Sequence, residues 1–181
     1  AEDFHFDPAS LDRIGFRALS ALDQAFWDIL GKSLDAPVHA LLGGASRDEI
    51  RLYANINRAT RGDRSPEAFA RNATAAVSDG FDAIKLAPFD GLARGIDKAE
   101  DAADGIACMQ AVRQAIGPNV DLLIDCHSHF TAKGALAVAK ALADLDLFWF
   151  EEPVPDEDIA GYLEVKAKSG LPIAGGESRM H

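Results

Sequence analysis

Hydrophobic residues recur three and four positions apart over the first long segment, from about Ser10 to Gly31. Leu11, Ile14, Ala18, Leu19, Leu22, Ala25, Phe26 and Ile29 all fall in that phase. The spacing predicts an amphipathic helix. Gly31 and Pro37 break it, a short apolar turn follows, and the Gly43-Gly44 pair closes the region. From there the period changes. IRLYANIN is rich in strand formers, and SPEAFARNATAAVSDG carries the marks of a helix: Ser65 as cap, Pro66 at the first helical position, Glu67 in the first turn and Gly80 at the end. The alternation then repeats. DAIKLAP, VDLLIDC, LFWFEEP and LPIAGGES read as strands, with helices between them over 99–117, 131–145 and 158–170. Strands apolar on both faces and separated by helices of this length predict right-handed βαβ units and a parallel sheet, hence an α/β fold. Residues 1–46 form a helical segment and residues 47–181 the β/α part.

One connection is longer than the rest. PFDGLARGIDKA, from Pro88 to Ala99, follows a strand at its carboxyl end, where ligands bind in such folds, and is a candidate substrate loop. Composition narrows the partners. Asp and Glu outnumber Lys and Arg by 29 to 18, for a formal charge of -11, which disfavours nucleic acid and anionic membrane surfaces. No run approaches the roughly 18 apolar residues of a membrane span. The opening residues lack the features of a signal peptide. Cys108 and Cys126 are too few for a disulfide framework, so a reducing, cytoplasmic setting is expected, and neither has a catalytic context. Trp27 and Trp149 are expected in the core.

The candidate chemistry lies at the strand ends. Asp125 ends DLLID, Glu151 ends LFWFE and Glu177 follows PIAGG, each 26 residues after the one before. Three acids therefore fall at the carboxyl ends of three consecutive parallel strands, which lie roughly 4.8 Å apart, and their side chains are expected to converge. A hard cation such as Mg²⁺ takes oxygen ligands and keeps positions for water or substrate, which suits three single carboxylates. Adjacent strand residues point to opposite faces, so the phase selects Glu151 and turns Glu152 outward or sideways, toward a lysine or the next loop. Lys85 would point inward between Ile84 and Leu86, where it pairs with a metal carboxylate or binds the carboxylate of a substrate. His127, two residues after Asp125, would face the same side if strand geometry persists and could donate a proton to a leaving group. His129 is expected nearer the rim. A salt-bridge network of the acids with Lys85, in a non-catalytic barrel fragment, is the alternative these residues leave open.

The segments LSALDQAFWDILGKSLDAPVHALLGG, GFDAIKLAPF, LLIDCHSHF, WFEEPV and PIAGGES, in this order and spacing, resemble the mandelate racemase and muconate lactonizing branch of the enolase superfamily. The resemblance implies helices of a capping domain followed by strands one to five of a modified (β/α)7β barrel of TIM type. It also implies Mg²⁺ on Asp125, Glu151 and Glu177, and abstraction of the proton α to a carboxylate through an enediolate. Two departures shape the expectation. Racemases and cycloisomerases of this branch carry Lys-x-Lys on the second strand, whereas the tripeptide here is Lys85-Leu86-Ala87. Together with Asp125-Cys126-His127 this resembles the acid-sugar dehydratases of the galactonate and rhamnonate types, whose corresponding histidine protonates the departing hydroxyl. Substrate binding by Lys85 and His127 is implied in the same way. The implied reaction is dehydration of a hydroxy acid or acid sugar to a 2-keto-3-deoxy acid, with a racemase, epimerase or cycloisomerase as the nearest alternative. The second departure is extent. The capping sheet, strands six to eight and the usual base are expected to lie outside this chain, which looks truncated and by itself inactive, and a homo-oligomer is expected of the whole protein.

Overall fold

The computed structural model describes residues 12–178, so Ser10 and Leu11 of the expected first helix lie outside the described residues. The chain divides into two compact units, one reaching Arg51 and one comprising Leu52–Ser178. In the first, α1 (Arg13–Ser33) is capped by Asp12, whose carboxylate accepts from Gly15 N at 2.7 Å, and the short α2 (Val38–Leu41) follows. Ile14, Leu22, Phe26 and Ile29 of α1 are exposed and Trp27 is half-buried, so the apolar stripe is present but not covered within this unit.

The second unit is a five-stranded parallel sheet in the order β1-β2-β3-β4-β5. Its elements alternate as the pattern predicts: β1 (Ala54–Asn55), α3 (Pro66–Ser78), β2 (Ala83–Leu86), α4 (Ala103–Ile116), β3 (Asp121–Asp125), α5 (Ala132–Ala141), β4 (Leu147–Glu151), α6 (Ile159–Lys168) and β5 (Ile173–Ala174). The helices start where the caps say. Ser65, Thr131 and Asp158 each accept a hydrogen bond from the backbone N–H three residues on, satisfying a donor that the first helical turn leaves free.

Edge strands are shorter than the sequence suggests. IRLYANIN contributes only two ladder residues, Ala54 opposite Ile84 and Asn55 opposite Lys85, while Ile50 and Leu52 are exposed. β1 can pair only as far as its four-residue neighbour β2 extends. β5 is similarly brief, and just past it Gly176 takes a positive φ of 102°. Gly175 passes so near Tyr162 that a Cβ there would sit 2.6 Å from its hydroxyl.

One face of the sheet meets the helices. Ile84 and Leu86 of β2, Leu122 and Ile124 of β3, and Phe150 of β4 pack with Phe69, Met109, Val138 and Val165 into a single core. Burial of this apolar surface is the main stabilising contribution to the unit. Lys85, Leu123 and Asp125 alternate onto the opposite face.

β4 reaches that opposite face by a bulge. Leu147 is opposite Leu122, but Leu123 is opposite Trp149, so Phe148 is an extra residue in the register of the ladder. Beyond it the register places Ile124 opposite Phe150 and Asp125 opposite Glu151. Trp149 and Glu151 therefore share the face of Leu123 and Asp125. Trp149, expected in the core, is half-buried on this second face, edge-on to Tyr53 at 5.8 Å.

The long connection after β2 is folded onto the body. Phe89 is fully buried and meets Phe130 edge-on at 4.9 Å, Ile96 bridges to Phe130, and the carbonyl of His129 accepts from Gly95 N and Ile96 N. Gly134 fits beneath this loop because it has no Cβ, which would otherwise lie 1.9 Å from the Ile96 carbonyl oxygen.

Candidate active site

Lys85 is the hub of the charged face. Its ammonium is 3.0 Å from Asp125 Oδ2 and 2.5 Å from Glu151 Oε2, and only 5% of the residue is exposed. Burial alone would lower the lysine's pKa, but the bonds to Glu151 and then Asp125 outweigh it and hold the pKa above its ordinary value. Trp149 Nε1 donates to the same Glu151 oxygen at 2.8 Å, fixing the carboxylate. The Tyr53 ring lies 5.7 Å from the ammonium.

His127 reaches Asp125 by a turn, not by strand alternation. The strand ends at Asp125, and His127 (φ 43°) and Ser128 (φ 60°) both adopt left-handed backbone, a strained conformation for these residues. Asp125 Oδ1 accepts the backbone N–H of His127 at 3.1 Å and stabilises the turn. The imidazole is thereby suspended between two carboxylates, with Nε2 3.2 Å from Asp125 Oδ2 and Nδ1 2.6 Å from Asp90 Oδ1. Hydrogen bonds to Asp125 and Asp90 raise its pKa to about 10, so the ring is protonated at neutral pH. Burial would raise the Asp125 carboxyl, yet His127 and Lys85 hold it below the usual carboxylate range.

Glu152 departs from expectation. Instead of turning outward to a lysine, it takes a left-handed conformation (φ 41°) that folds it inward, where it is buried and its Oε1 has no hydrogen-bond partner. Burial, then the charges of Glu177, Asp156, Asp125 and Glu151, push its carboxyl up to about 7. Glu177 itself is exposed in the turn after β5. Among the described residues no three His, Cys, Asp or Glu side chains are placed as ligands of one metal ion. The donor set nevertheless suits a hard cation. Asp125 and Glu151 share one lysine, the charges of Glu177, Asp125 and Glu151 act on the buried Glu152, and Glu152 Oε1 has no hydrogen-bond partner, a concentration of carboxylate oxygens of the kind a hard cation takes.

His129, expected at the rim, is buried with Nδ1 3.3 Å from the Ala93 carbonyl. Cys108 and Cys126 are buried thiols, and burial pushes Cys108 up to about 11 and Cys126 well above its ordinary value. Neither is a nucleophile at neutral pH.

Three contributors escaped the sequence reading. Asp90, from the long loop, orients His127. Arg64 lies 3.7 Å from Asp90 and also donates to the Ala87 carbonyl. Asn57 Oδ1 accepts from Ala87 N at 2.6 Å and ties the end of β2 to the β1–α3 loop. Only the position of Asp90, four residues past the end of β2, offered a signal.

No described helix is long and apolar enough to cross a membrane. A family model described as "Enolase C-terminal domain-like" matches residues 68–180, and one for the mandelate racemase / muconate lactonizing enzyme N-terminal domain matches residues 11–43. Among curated proteins, the chain is 39% identical over 160 residues to a D-gluconate dehydratase of Thermoproteus tenax, covering 88% of this chain and 32% of that protein. It is 37% identical to a D-gluconate/D-galactonate dehydratase of Picrophilus torridus, covering 88% and 40%. It is 35% identical to a D-galactarolactone cycloisomerase of Agrobacterium fabrum, covering 91% and 41%. A solved mandelate racemase/muconate lactonizing enzyme from Jannaschia sp. CCS1 superposes with a TM-score of 0.83 at 36% identity, covering 97% of this chain and 47% of that one. The chain thus spans less than half the length of these relatives, and the α/β unit is a partial barrel of their type. Its strand order, its helix caps and the matches on both of its segments together make it a member of the mandelate racemase / muconate lactonizing enzyme family of the enolase superfamily.

Proposed function

We propose that the protein containing this chain is a hydro-lyase that dehydrates an acid sugar to a 2-keto-3-deoxy acid. The observation that carries the reading is His127, protonated between Asp90 and Asp125 and joined through Asp125 to the buried Lys85. A dehydration needs an acid beside the departing hydroxyl and a positive environment for the carboxylate whose α carbon loses a proton. His127, just past β3, and Lys85, on β2, support these two roles.

Asp125, Glu151 and Glu177 are assigned to hold Mg²⁺. When bound, the ion supplies Lewis acidity that stabilises negative charge developing on the substrate carboxylate. Lys85 binds that carboxylate, and its acid partners Glu151 and Asp125 keep it charged. Asp90 holds Nδ1 of His127, the shorter of the two contacts, leaving the Nε2 proton for the hydroxyl. As the α C–H bond breaks, its electron pair forms the double bond, the β C–O bond cleaves, and His127 delivers the proton that makes the leaving group water. The resulting enol tautomerises to the keto acid. The base that takes the α proton is assigned to no residue of this chain.

Ala87 stands where racemases and cycloisomerases of the resembling branch carry a second lysine, and this favours elimination over racemisation. The decisive experiment incubates the full-length protein with Mg²⁺ and a panel of aldonates and related hydroxy acids. Appearance of 2-keto-3-deoxy acids is expected; epimerised or lactone-isomerised products without loss of water would overturn the reading.

A further inference from the structure

Beside His127 lies a cavity of about 440 Å³ whose lining includes Asn55, Arg58, Arg61, Arg64, Asp90 and His127. Its charges separate into spent and unspent ones. Arg64 is committed: it donates to the Ala87 carbonyl, faces Asp90 at 3.7 Å, and lies 5.3 Å over the Phe69 ring. Asp90 is in turn shared with His127. Arg58 and Arg61 have no carboxylate partner among the described residues. Two uncompensated guanidinium groups therefore face one cavity in a chain of formal charge -11. Such a placement focuses a positive field where most of the surface repels anions.

The loop that carries them is held in place. Thr60, fully buried, bonds through its hydroxyl to the carbonyls of Ile56 and Asn57, and Asn57 bonds to the backbone of Ala87. A pre-ordered loop loses less conformational entropy on binding. Contacts run from Lys85 to Asp125, from Asp125 to His127, from His127 to Asp90 and from Asp90 to Arg64, and Arg58 and Arg61 line the same cavity as His127 and Asp90.

We infer that Arg58 and Arg61 bind a second anionic group at the end of the substrate remote from the reacting carboxylate. The substrate class is then an acid sugar charged at both termini, through a terminal carboxylate or a terminal phosphate. This rests on the proposed dehydration for the placement of the first carboxylate at Lys85. Guanidinium pairs match either anion in two-pronged fashion, whereas a neutral terminal hydroxyl leaves both charges unanswered.

The test compares six-carbon substrates that differ only at the far end: an aldonate, the matching aldarate and the matching 6-phosphoaldonate. With full-length enzyme and Mg²⁺, kcat/KM for one doubly charged acid should exceed that for the aldonate at least tenfold, and which one wins identifies the anion. The double variant Arg58→Gln/Arg61→Gln should reduce that ratio tenfold or more, chiefly through KM. Calorimetric titration of the two acids into metal-free wild-type and variant proteins is the second readout. A ratio near one, or a ratio and affinities unmoved by the double substitution, would overturn the inference. If no acid sugar is dehydrated at all, the function proposal fails, and the calorimetric arm still decides this one: tighter binding of the doubly charged acid, lost in the variant, supports it, and equal binding refutes it.

Discussion

On the helix side of β2, β3 and β4 stand Ile84, Leu86, Leu122, Ile124 and Phe150, all with 0% exposure. On the other side of the same strands stand Lys85, Leu123, Asp125, Trp149 and Glu151. Lys85 and Asp125 are nearly as well buried as the apolar set, at 5% and 4%. Burial alone thus says little about what stabilises a position. The apolar side chains contribute by leaving water, while the charged ones are tolerated only because each answers another. Removing one member of either set should leave a different kind of defect.

The largest contrast is between activity and stability. His127→Asn should act first on turnover, lowering kcat by about 10²–10⁴-fold, the usual contribution of a general acid. Phe150→Ala should do the reverse, costing about 3–5 kcal/mol of stability by urea denaturation through the cavity it leaves under the helices. A Phe150→Ala protein as stable as wild type would show that the two faces do not divide the work this way. Lys85→Met tests the charged face directly. In metal-free protein it strands Asp125 and Glu151 and should cost about 3 kcal/mol. Adding Asp125→Asn and Glu151→Gln should recover most of that loss, and failure to recover would mean that packing, not charge, dominates there.

The smallest effect is on protonation. His127 titrates near 10 in the folded protein against 6.5 when unperturbed, so folding tightens its hold on the proton. The stability this gives is fully present below about pH 6.5 and is lost as pH rises through about 10. Asp90→Asn removes one of the two carboxylates and should move the ring's titration down toward 6.5, read by NMR of the imidazole. An unchanged titration would assign the shift to Asp125 alone.

The parallel α/β order was legible because periods of 3.6 and 2 alternate cleanly and because Ser65, Pro66 and Gly80 punctuate them. The inward aim of Lys85 followed from strand alternation, which needs no tertiary information. What escaped the reading depends on contacts far apart in sequence or on backbone that leaves the regular regions. Asp90 meets His127 across 37 residues, and Asn57 meets Ala87 across 30. Glu152 turns inward through a positive φ that nothing in EEP announces. The ends of β1 and β5 were overread because strand propensity continues where no neighbour remains to pair.

Phe148 carries a consequence of its own. Were Phe148 paired one for one like its neighbours, Asp125 would lie beside Phe150, and the glutamate would look toward the helices. Swapping Phe148 for another residue should therefore be forgiven, and deleting it should leave a regular ladder with Asp125 still opposite Glu151, whereas inserting or deleting a residue between Trp149 and Glu151 should not be tolerated. What has to be kept is the pairing beyond the bulge, whose parity decides whether this face of the sheet presents an acid or an aromatic ring.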